Sequence, residues 1–150
     1  MFNNNLKFKV LVSHGSGAIA ALEGPKDVTE HMVRFVCDVL ETWGFGVCVL
    51  KCQNEPAQIA LQNAVVRTRH LKTIPRSTPR YSHGSLGHCE SAIKEVEKQI
   101  RATLFQMYAD YKSNSHKFPA ELPIFSWMVR HAAWTLTRYS LKAESQTSFS

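Results

Sequence analysis

The sequence contains little of what secreted or membrane-spanning chains carry. Its 150 residues include only four cysteines, Cys37, Cys48, Cys52 and Cys89. Because these are too few for a disulfide scaffold in a chain of this length, we expect free thiols. The longest apolar runs are too short to cross a bilayer, and the first residues lack the charged and apolar regions of a signal peptide. These absences predict a nuclear or cytoplasmic protein with no membrane insertion.

The composition otherwise fits one folded domain. Hydrophobic residues make up 44% of the chain, which argues against disorder throughout. The chain is long enough for one domain around one core. We therefore predict a domain over residues 1–141 and, because the remaining residues are polar, a flexible tail over 142–150.

Acidic residues are missing from the middle of the chain. The formal net charge is +6, and no Asp or Glu occurs between Pro56 and Cys89. A local positive field of this kind suits a polyanion such as DNA, while the alternative is a solvated basic loop. The basic residues and histidines of this stretch are Arg67, Arg69, Lys72, Arg76 and Arg80 with His70, His83 and His88.

The first third of the chain predicts a hairpin followed by a helix. Residues 6–12 and 18–22 have strand character, and the glycine-rich segment between them predicts an antiparallel turn. Residues 27–43 carry an apolar stripe at helical spacing. Asp27 is the predicted N-cap, with Glu30 completing a capping-box-like pair, and Gly44 is expected to end the helix in a left-handed conformation.

The remaining elements complete an α/β pattern. Residues 46–52 predict a mostly buried strand reached by a parallel crossover, and Pro56 opens a helix over 57–68. Residues 72–87 are expected to be a loop, with one short strand near 72–74. Two long helices follow, over 88–111 and 122–139, and the second is apolar on most sides and should be well buried. This order predicts a layered α/β fold with a mixed sheet flanked by helices.

Three segments carry patterns that become specific in combination. Residues 49–56 read Val-Leu-Lys-Cys-Gln-Asn-Glu-Pro, and residues 85–90 read Ser-Leu-Gly-His-Cys-Glu. Residues 126–134 read Ser-Trp-Met-Val-Arg-His-Ala-Ala-Trp, followed by Arg138 and Tyr139. Together they resemble three segments of copia-like LTR retrotransposon integrases: Leu-Lys-Cys/Ser-Asp-Asn-Glu-Pro, Ser-Asn-Gly-x-x-Glu, and Trp-Leu-Val-Arg-His-Ala-Ala followed by Asn-Arg-Tyr. The resemblance covers about residues 9–149.

The resemblance implies a partial integrase catalytic core from a Pol polyprotein, with a ribonuclease H-like fold whose first strand is missing. Such enzymes integrate DNA, and three carboxylates hold two Mg²⁺ ions that stabilise the attacking and leaving oxygens. Gln53 stands where the second carboxylate, an aspartate, is expected, and Glu90 matches the third. The resemblance also implies that the strand bearing the first aspartate is absent from this chain. We therefore expect Glu90 to hold Mg²⁺ weakly and the chain alone to lack strand transfer and 3′-processing.

Other functions of these residues remain open. Glu55 is a candidate replacement carboxylate, and Glu90 is also suited to the dipole of a helix N-terminus. Lys94, Lys98 and Arg101 share a helix face with Glu90, where the resemblance implies DNA contact. For Arg67, Arg69 and Lys72, DNA contact is predicted from the local positive field. The alternative for the helix is a solvated face that also has Glu95 and Glu97 nearby, with an ion pair between Glu90 and Lys94.

Two alternative sites are disfavoured, and two alternative functions are kept. A zinc site of Cys48, Cys52, His88 and Cys89 is disfavoured because the first two lie about 13 Å apart along a strand. The Ser-His-Gly-Ser-Gly segment at 13–17 lacks the lysine and the strand-to-helix setting of a phosphate loop. The alternatives are a non-enzymatic interaction domain that self-associates, as a possible homodimer, through residues 122–139, and a nuclease completed by a partner chain.

Overall fold

The computed structural model describes residues 7–79, 86–110, 122–141 and 147–148. These residues belong to two compact units. Unit 1 contains the chain up to Glu23 and from His88 onward, and unit 2 contains Gly24–Gly87. The described strands are β1 (Phe8–Val12), β2 (Ile19–Glu23), β3 (Cys48–Cys52) and β4 (Thr73–Ser77), and the described helices are α1 (Glu30–Thr42), α2 (Pro56–Thr68), α3 (Gly87–Asp110) and α4 (Pro123–Tyr139).

The predicted hairpin at the start of unit 1 is confirmed. Strands β1 and β2 pair antiparallel, with Phe8 opposite Glu23 and Val12 opposite Ile19. Ser13 N donates to Ala18 O at 2.9 Å and closes the turn, while Ser13 Oγ accepts from Ser16 N at 3.3 Å. Gly17 has a φ of 66°, a conformation that glycine adopts without steric cost. The segment is a turn, as the glycines indicate.

The core of unit 1 joins the hairpin to the two long helices. Val96 and Ile100 of α3 and Val129 of α4 are fully buried, and each contributes roughly 1.5–3 kcal/mol by leaving water. They cluster with three small side chains, Ala21, Ala132 and Ala133. Small residues on the facing surfaces allow β2 and α4 to approach closely. Thr137 Oγ1 reinforces this contact because it accepts from Ile19 N and donates to Ile19 O, both at 2.9 Å.

Unit 2 begins with α1, whose predicted N-cap is wrong by two residues. The N-cap is Thr29, whose hydroxyl accepts from Met32 N at 3.3 Å. Asp27 therefore lies before the helix, and Glu30 pairs with Arg34 instead of completing a capping box. The predicted end is confirmed, since Gly44 follows the helix with a φ of 74°. The buried side of α1 carries Met32, Val33, Val36, Cys37 and Leu40.

The parallel pair of unit 2 is formed by β3 and β4, which α2 connects. Pro56 opens α2 as predicted. Gln62, buried on α2, donates from Nε2 to Leu50 O of β3 at 2.6 Å and to Arg76 O of β4 at 3.1 Å. The strand predicted near 72–74 continues to Ser77. Pro75 lies within this strand, which is possible because a strand tolerates proline where its missing N–H is not needed by a partner.

Two burial predictions need correction. Strand β3 alternates partly buried and exposed residues, and Val49 is 50% exposed, so the strand packs on one face only. Helix α4 buries Met128 and Val129 but leaves Trp127 52% exposed, so it is amphipathic although both of its faces contain apolar residues. The described part of the molecule is a mixed α/β structure with one antiparallel and one parallel strand pair.

Some predictions fall on residues outside the described ranges. These include Ser85 of the second motif, Arg80 and His83 of the basic stretch, and the tail over 142–150 apart from residues 147–148. Among the helices that the structure describes, none has both the length and the apolar content that a membrane span requires.

Candidate nucleic-acid interface

Gln53 lies immediately after β3, at the carboxyl end of a parallel strand, where open α/β sheets place their ligand sites. Its carboxamide is already engaged. Gln53 N donates to Gln58 Oε1 at 3.1 Å, and Gln58 Nε2 donates to Gln53 Oε1 at 3.3 Å. The side-chain oxygen that would approach a cation therefore accepts a hydrogen bond from the first turn of α2. A neutral amide in this state is a poor substitute for an anionic Mg²⁺ ligand.

Glu55, the candidate replacement carboxylate, has other partners. Its Oε1 forms an ion pair with Lys26 Nζ at 2.6 Å, and its Oε2 accepts from Gln58 Nε2 at 3.3 Å. The hydrogen bond and the charge of Glu55 raise the pKa of Lys26. The carboxylate therefore interacts with a cationic side chain of its own unit, beside a pocket lined by Lys26, Asp27 and Pro56 among others.

Glu90 occupies the first turn of α3, as predicted, and is exposed. A carboxylate at this end of a helix favours the helix dipole. The same turn contains His88, whose ring makes an edge contact with that of His14 in the hairpin turn, with the ring centroids 4.8 Å apart. This contact could not be predicted from the sequence, because nothing in the local pattern pairs the hairpin turn with the start of α3.

The basic face of α3 consists of Lys94, Lys98 and Arg101, which are exposed and follow Glu90 at helical spacing. Arg101 lies 3.5 Å from Glu97 Oε2 in an ion pair between exposed groups, a kind of pair that contributes little stability. The alternative pair between Glu90 and Lys94 is not among the ion pairs of the described residues. Exposed cations on a regular helix present charge at an even spacing, a suitable arrangement for phosphates.

The basic residues of unit 2 separate into exposed and buried groups. Arg67 and Lys72 are exposed. Arg69 is only 6% exposed, and its guanidinium donates to Thr73 Oγ1 at 3.0 Å, to Cys48 Sγ at 3.2 Å and to Phe45 O. The structure thus places Arg69 in the interior of unit 2, where phosphate does not reach it, in contrast to the DNA contact expected from the sequence.

The β3–β4 pair adds two cations that were not proposed as site residues. Lys51 is opposite Arg76 in the parallel register, and both are exposed. Residues paired across a sheet project from the same face, so their charges lie side by side. The alternation of β3 contained a signal for Lys51, since Val49 and Lys51 alternate with the partly buried Cys48, Leu50 and Cys52. The pairing with Arg76 required knowledge of the register.

The described residues do not supply a ready metal centre. No three His, Cys, Asp or Glu side chains among them are grouped so that they could hold an ion. Burial raises the pKa of the Cys52 thiol, which disfavours the thiolate that zinc requires. For Mg²⁺, unit 1 offers the exposed carboxylate of Glu90, and unit 2 offers the hydrogen-bonded amide of Gln53 and the carboxylate of Glu55, which is paired with Lys26. Taken by itself, neither of these donor sets fits a two-metal centre held by three carboxylates.

Comparison with known proteins identifies the fold. No protein-family model and no curated protein sequence matches the chain. A chain of the simian T-cell lymphotropic virus intasome, solved in complex with the PP2A regulatory subunit B56 gamma, matches with a TM-score of 0.68 and 16% identity, over 96% of this chain and 47% of that one. The catalytic core domain of BIV integrase matches with a TM-score of 0.62 and 16% identity, over 97% of this chain and 84% of that one.

These similarities show that the chain has a mixed α/β fold like that of a retroviral integrase catalytic core. The chain spans about half the length of the intasome chain that it matches. At this level of identity the similarity concerns the fold, and function has to be argued from the residues.

Proposed function

We propose that the chain is an integrase-core domain of a copia-like LTR retrotransposon Pol polyprotein, ribonuclease H-like in its arrangement, that binds DNA without performing strand transfer. The fold similarity to integrase cores supports the class, and the three sequence motifs support the copia-like relationship. The observation that carries the proposal is that Glu90 stands on the first turn of α3 while the end of β3 carries Gln53 instead of an aspartate. A protein of this kind acts in the nucleus or cytoplasm.

The proposed loss of catalysis follows from the donors. Two-metal phosphoryl transfer needs anionic oxygens to hold both ions. Gln53 contributes no charge and already accepts a hydrogen bond from Gln58, while Glu55 is paired with Lys26. We expect Mg²⁺ to associate at most weakly, at Glu90, and no reaction step is assigned to it.

The proposed DNA contact relies on exposed cations. Lys94, Lys98 and Arg101 provide one row on α3, and Arg67 and Lys72 provide further positive charge on unit 2. Contacts of this type go to phosphates and are largely independent of sequence. Affinity should therefore decrease steeply as salt displaces the protein from the DNA backbone.

The test measures binding of the full chain to duplex DNA by fluorescence polarisation, at salt concentrations between about 50 and 200 mM. The double substitution Lys94→Ala/Lys98→Ala should weaken binding and reduce the slope of log affinity against log salt by roughly 2, because each lost phosphate contact contributes about 0.9. Lys7→Ala removes an exposed lysine of the same unit outside α3 and is the matched control. Unchanged affinity and slope in the double variant would contradict the proposed role of α3.

A second candidate function is self-association through α4, possibly as a homodimer. It is favoured by the exposure of Trp127 (52%) and Trp134 (45%) on that helix, because exposed aromatic residues are enriched in interfaces. Sedimentation of the chain over a range of concentrations separates this function from DNA binding. A dimer that dissociates in Trp127→Ala and shows no affinity for duplex DNA would favour the interaction domain.

A further inference from the structure

One exposed side of α3 carries three cations and an aromatic ring in a single line, the α3 row, made of Lys94, Lys98, Arg101 and Phe105. These residues follow one another at intervals of four, three and four, which keep side chains on one face of a helix. All four are exposed. At the rise of an α-helix, the row extends for roughly 16 Å along α3. Three positive charges therefore lead to one ring on the same face.

The ring of Phe105 is open to a ligand. Phe105 is 78% exposed, more than any other large hydrophobic side chain among the described residues. Within the same described ranges, neither a second ring nor a cation contacts it. The exposed Trp134 differs in this respect, because its ring stacks with that of His131 and lies under the Arg138 guanidinium. The faces of the Phe105 ring are therefore available for stacking.

The core of unit 1 does not require the α3 row. Val96 and Ile100 are fully buried, and each follows a lysine of the row by two residues, which turns it about 200° around the helix axis. Phe105 therefore lies on the side of α3 that faces away from the core. Single exposed apolar side chains are common on protein surfaces, but this one continues a line of three cations, and the combination is what suggests a binding site.

The carboxylates of α3 leave most of the positive charge of the row in place. Glu97 pairs with Arg101 at 3.5 Å, and Glu90 stands before the row in the first turn. Lys94 and Lys98 take part in none of the ion pairs of the described residues. Two exposed ammonium groups and a guanidinium are therefore placed to meet phosphates on the same face as the ring.

We propose that the α3 row binds a DNA strand with unpaired bases, with its phosphates on Lys94, Lys98 and Arg101 and one nucleobase stacked on Phe105. Single-strand sites combine a positively charged track with aromatic rings, and stacking accepts every base because each has a π-face. In a blunt duplex the base faces are covered by neighbouring base pairs. The cations therefore act on both forms of DNA, and the ring acts on unpaired bases.

This inference rests on the proposed DNA contact of α3 and specifies which form of DNA the helix prefers. The test measures binding of the full chain to a labelled blunt duplex and to a labelled oligothymidine of about twenty nucleotides, which exceeds a typical single-strand site. Fluorescence polarisation gives both affinities. Phe105→Ala should weaken oligothymidine binding roughly tenfold, the effect expected from losing one stacked base. Duplex affinity should change by less than about twofold, because the phosphate contacts remain.

Two further substitutions at Phe105 separate stacking from simple apolar contact. Phe105→Trp should preserve oligothymidine binding, because an indole ring also stacks on a base. Phe105→Leu should behave like Phe105→Ala, because leucine is apolar but has no π-face. Gln106→Ala is the matched control, since it removes the exposed neighbouring side chain, which projects from another side of the helix, and it should leave both affinities unchanged. Photocrosslinking to an oligothymidine that contains 5-iododeoxyuridine, followed by mass spectrometry, should place the crosslink on Phe105.

The double substitution Lys94→Ala/Lys98→Ala separates this inference from the proposed function. It should weaken binding of both DNAs, and unchanged duplex affinity would contradict the DNA contact of α3 and this inference with it. If the double variant loses duplex affinity while Phe105→Ala binds oligothymidine as the wild type does, only the inference is overturned. A dimer that dissociates in Phe105→Ala, with unchanged oligothymidine affinity, would assign the ring to a protein contact and overturn the inference as well.

Discussion

Arg69 illustrates how one side chain organises unit 2. Its guanidinium donates hydrogen bonds to Phe45 O, Cys48 Sγ and Thr73 Oγ1, so it joins the segment before β3, β3 itself and the start of β4. Its Nε has no hydrogen-bond partner within the described residues, and the ion pairs described there do not include it. The stability of a buried cation that is held by neutral acceptors depends on the geometry of its donor groups.

Arg69→Lys should therefore destabilise the protein by about 2 kcal/mol, because an ammonium group keeps the buried charge and loses the planar set of donors. Arg67→Lys, two residues away and exposed, should change stability by less than about 0.5 kcal/mol. Urea unfolding followed by circular dichroism measures both values. Equal stability of the two variants would show that the guanidinium hydrogen bonds contribute little.

Burial also affects two thiols, that of the buried Cys37 and that of the partly buried Cys52. Cys37 is 8% exposed, and burial is the main cause that raises its pKa. Burial likewise raises the pKa of Cys52. Both groups are therefore disfavoured as thiolates in the folded state, in agreement with the interpretation of the cysteines as free thiols rather than zinc ligands.

At the scale of elements, the start of α1 depends on a single hydroxyl. Thr29 has extended backbone angles, with φ of −117° and ψ of 153°, and its side chain accepts from Met32 N. An N-cap oxygen satisfies one of the amide groups that the first helical turn leaves without an intrahelical acceptor. Asp27, equally suited by residue type, precedes the helix by too many residues to do this.

Thr29→Ala should cost about 1 kcal/mol of stability, since the cap hydrogen bond is lost, and Thr29→Ser should retain most of it. Asp27→Ala distinguishes the observed cap from the one that the sequence predicted, and it should change stability by less than about 0.5 kcal/mol. Thermal or urea unfolding is the measurement. A larger effect at Asp27 than at Thr29 would favour the cap predicted from the sequence.

The two faces of α4 serve different purposes. One face carries Val129, Ala132 and Ala133 into the core of unit 1, and the other carries the exposed Trp127 and Trp134. A helix that is apolar on most sides is expected to be buried, and on that basis the sequence predicted that α4 should be well buried. Hydropathy alone does not distinguish a tryptophan in a core from one that is exposed at the surface.

At the scale of the whole molecule, catalysis depends on which side chains are available as metal-binding oxygen donors. The chain alone should not nick supercoiled plasmid DNA in the presence of Mg²⁺, because Gln53 is neutral and Glu55 is paired with Lys26. Gel electrophoresis of the plasmid measures this. Glu90→Gln is the control, and Mg²⁺-dependent nicking by the wild type that disappears in this variant would instead indicate an active nuclease, completed by carboxylates that a partner chain supplies.

Local patterns predicted the elements well where the deciding forces are local. The hairpin of β1 and β2, the opening of α2 at Pro56 and the end of α1 at Gly44 follow from turn, proline and glycine chemistry within a few residues. The position of Glu90 on the first turn of α3 follows from helical periodicity. By contrast, periodicity does not predict that the side chain of Gln58 forms hydrogen bonds with Gln53.

The sequence by itself determined the order of strands and helices, the positions of Gln53 and Glu90 on them, and the excess of positive charge, because each depends on residue identity and short-range spacing. Only the tertiary structure decided that Arg69 is interior while Arg67 and Lys72 are exposed, that Lys51 is opposite Arg76, and that Trp127 faces solvent. The physical reason is that burial and cross-strand register arise from contacts between segments distant in the chain, which local pattern does not encode.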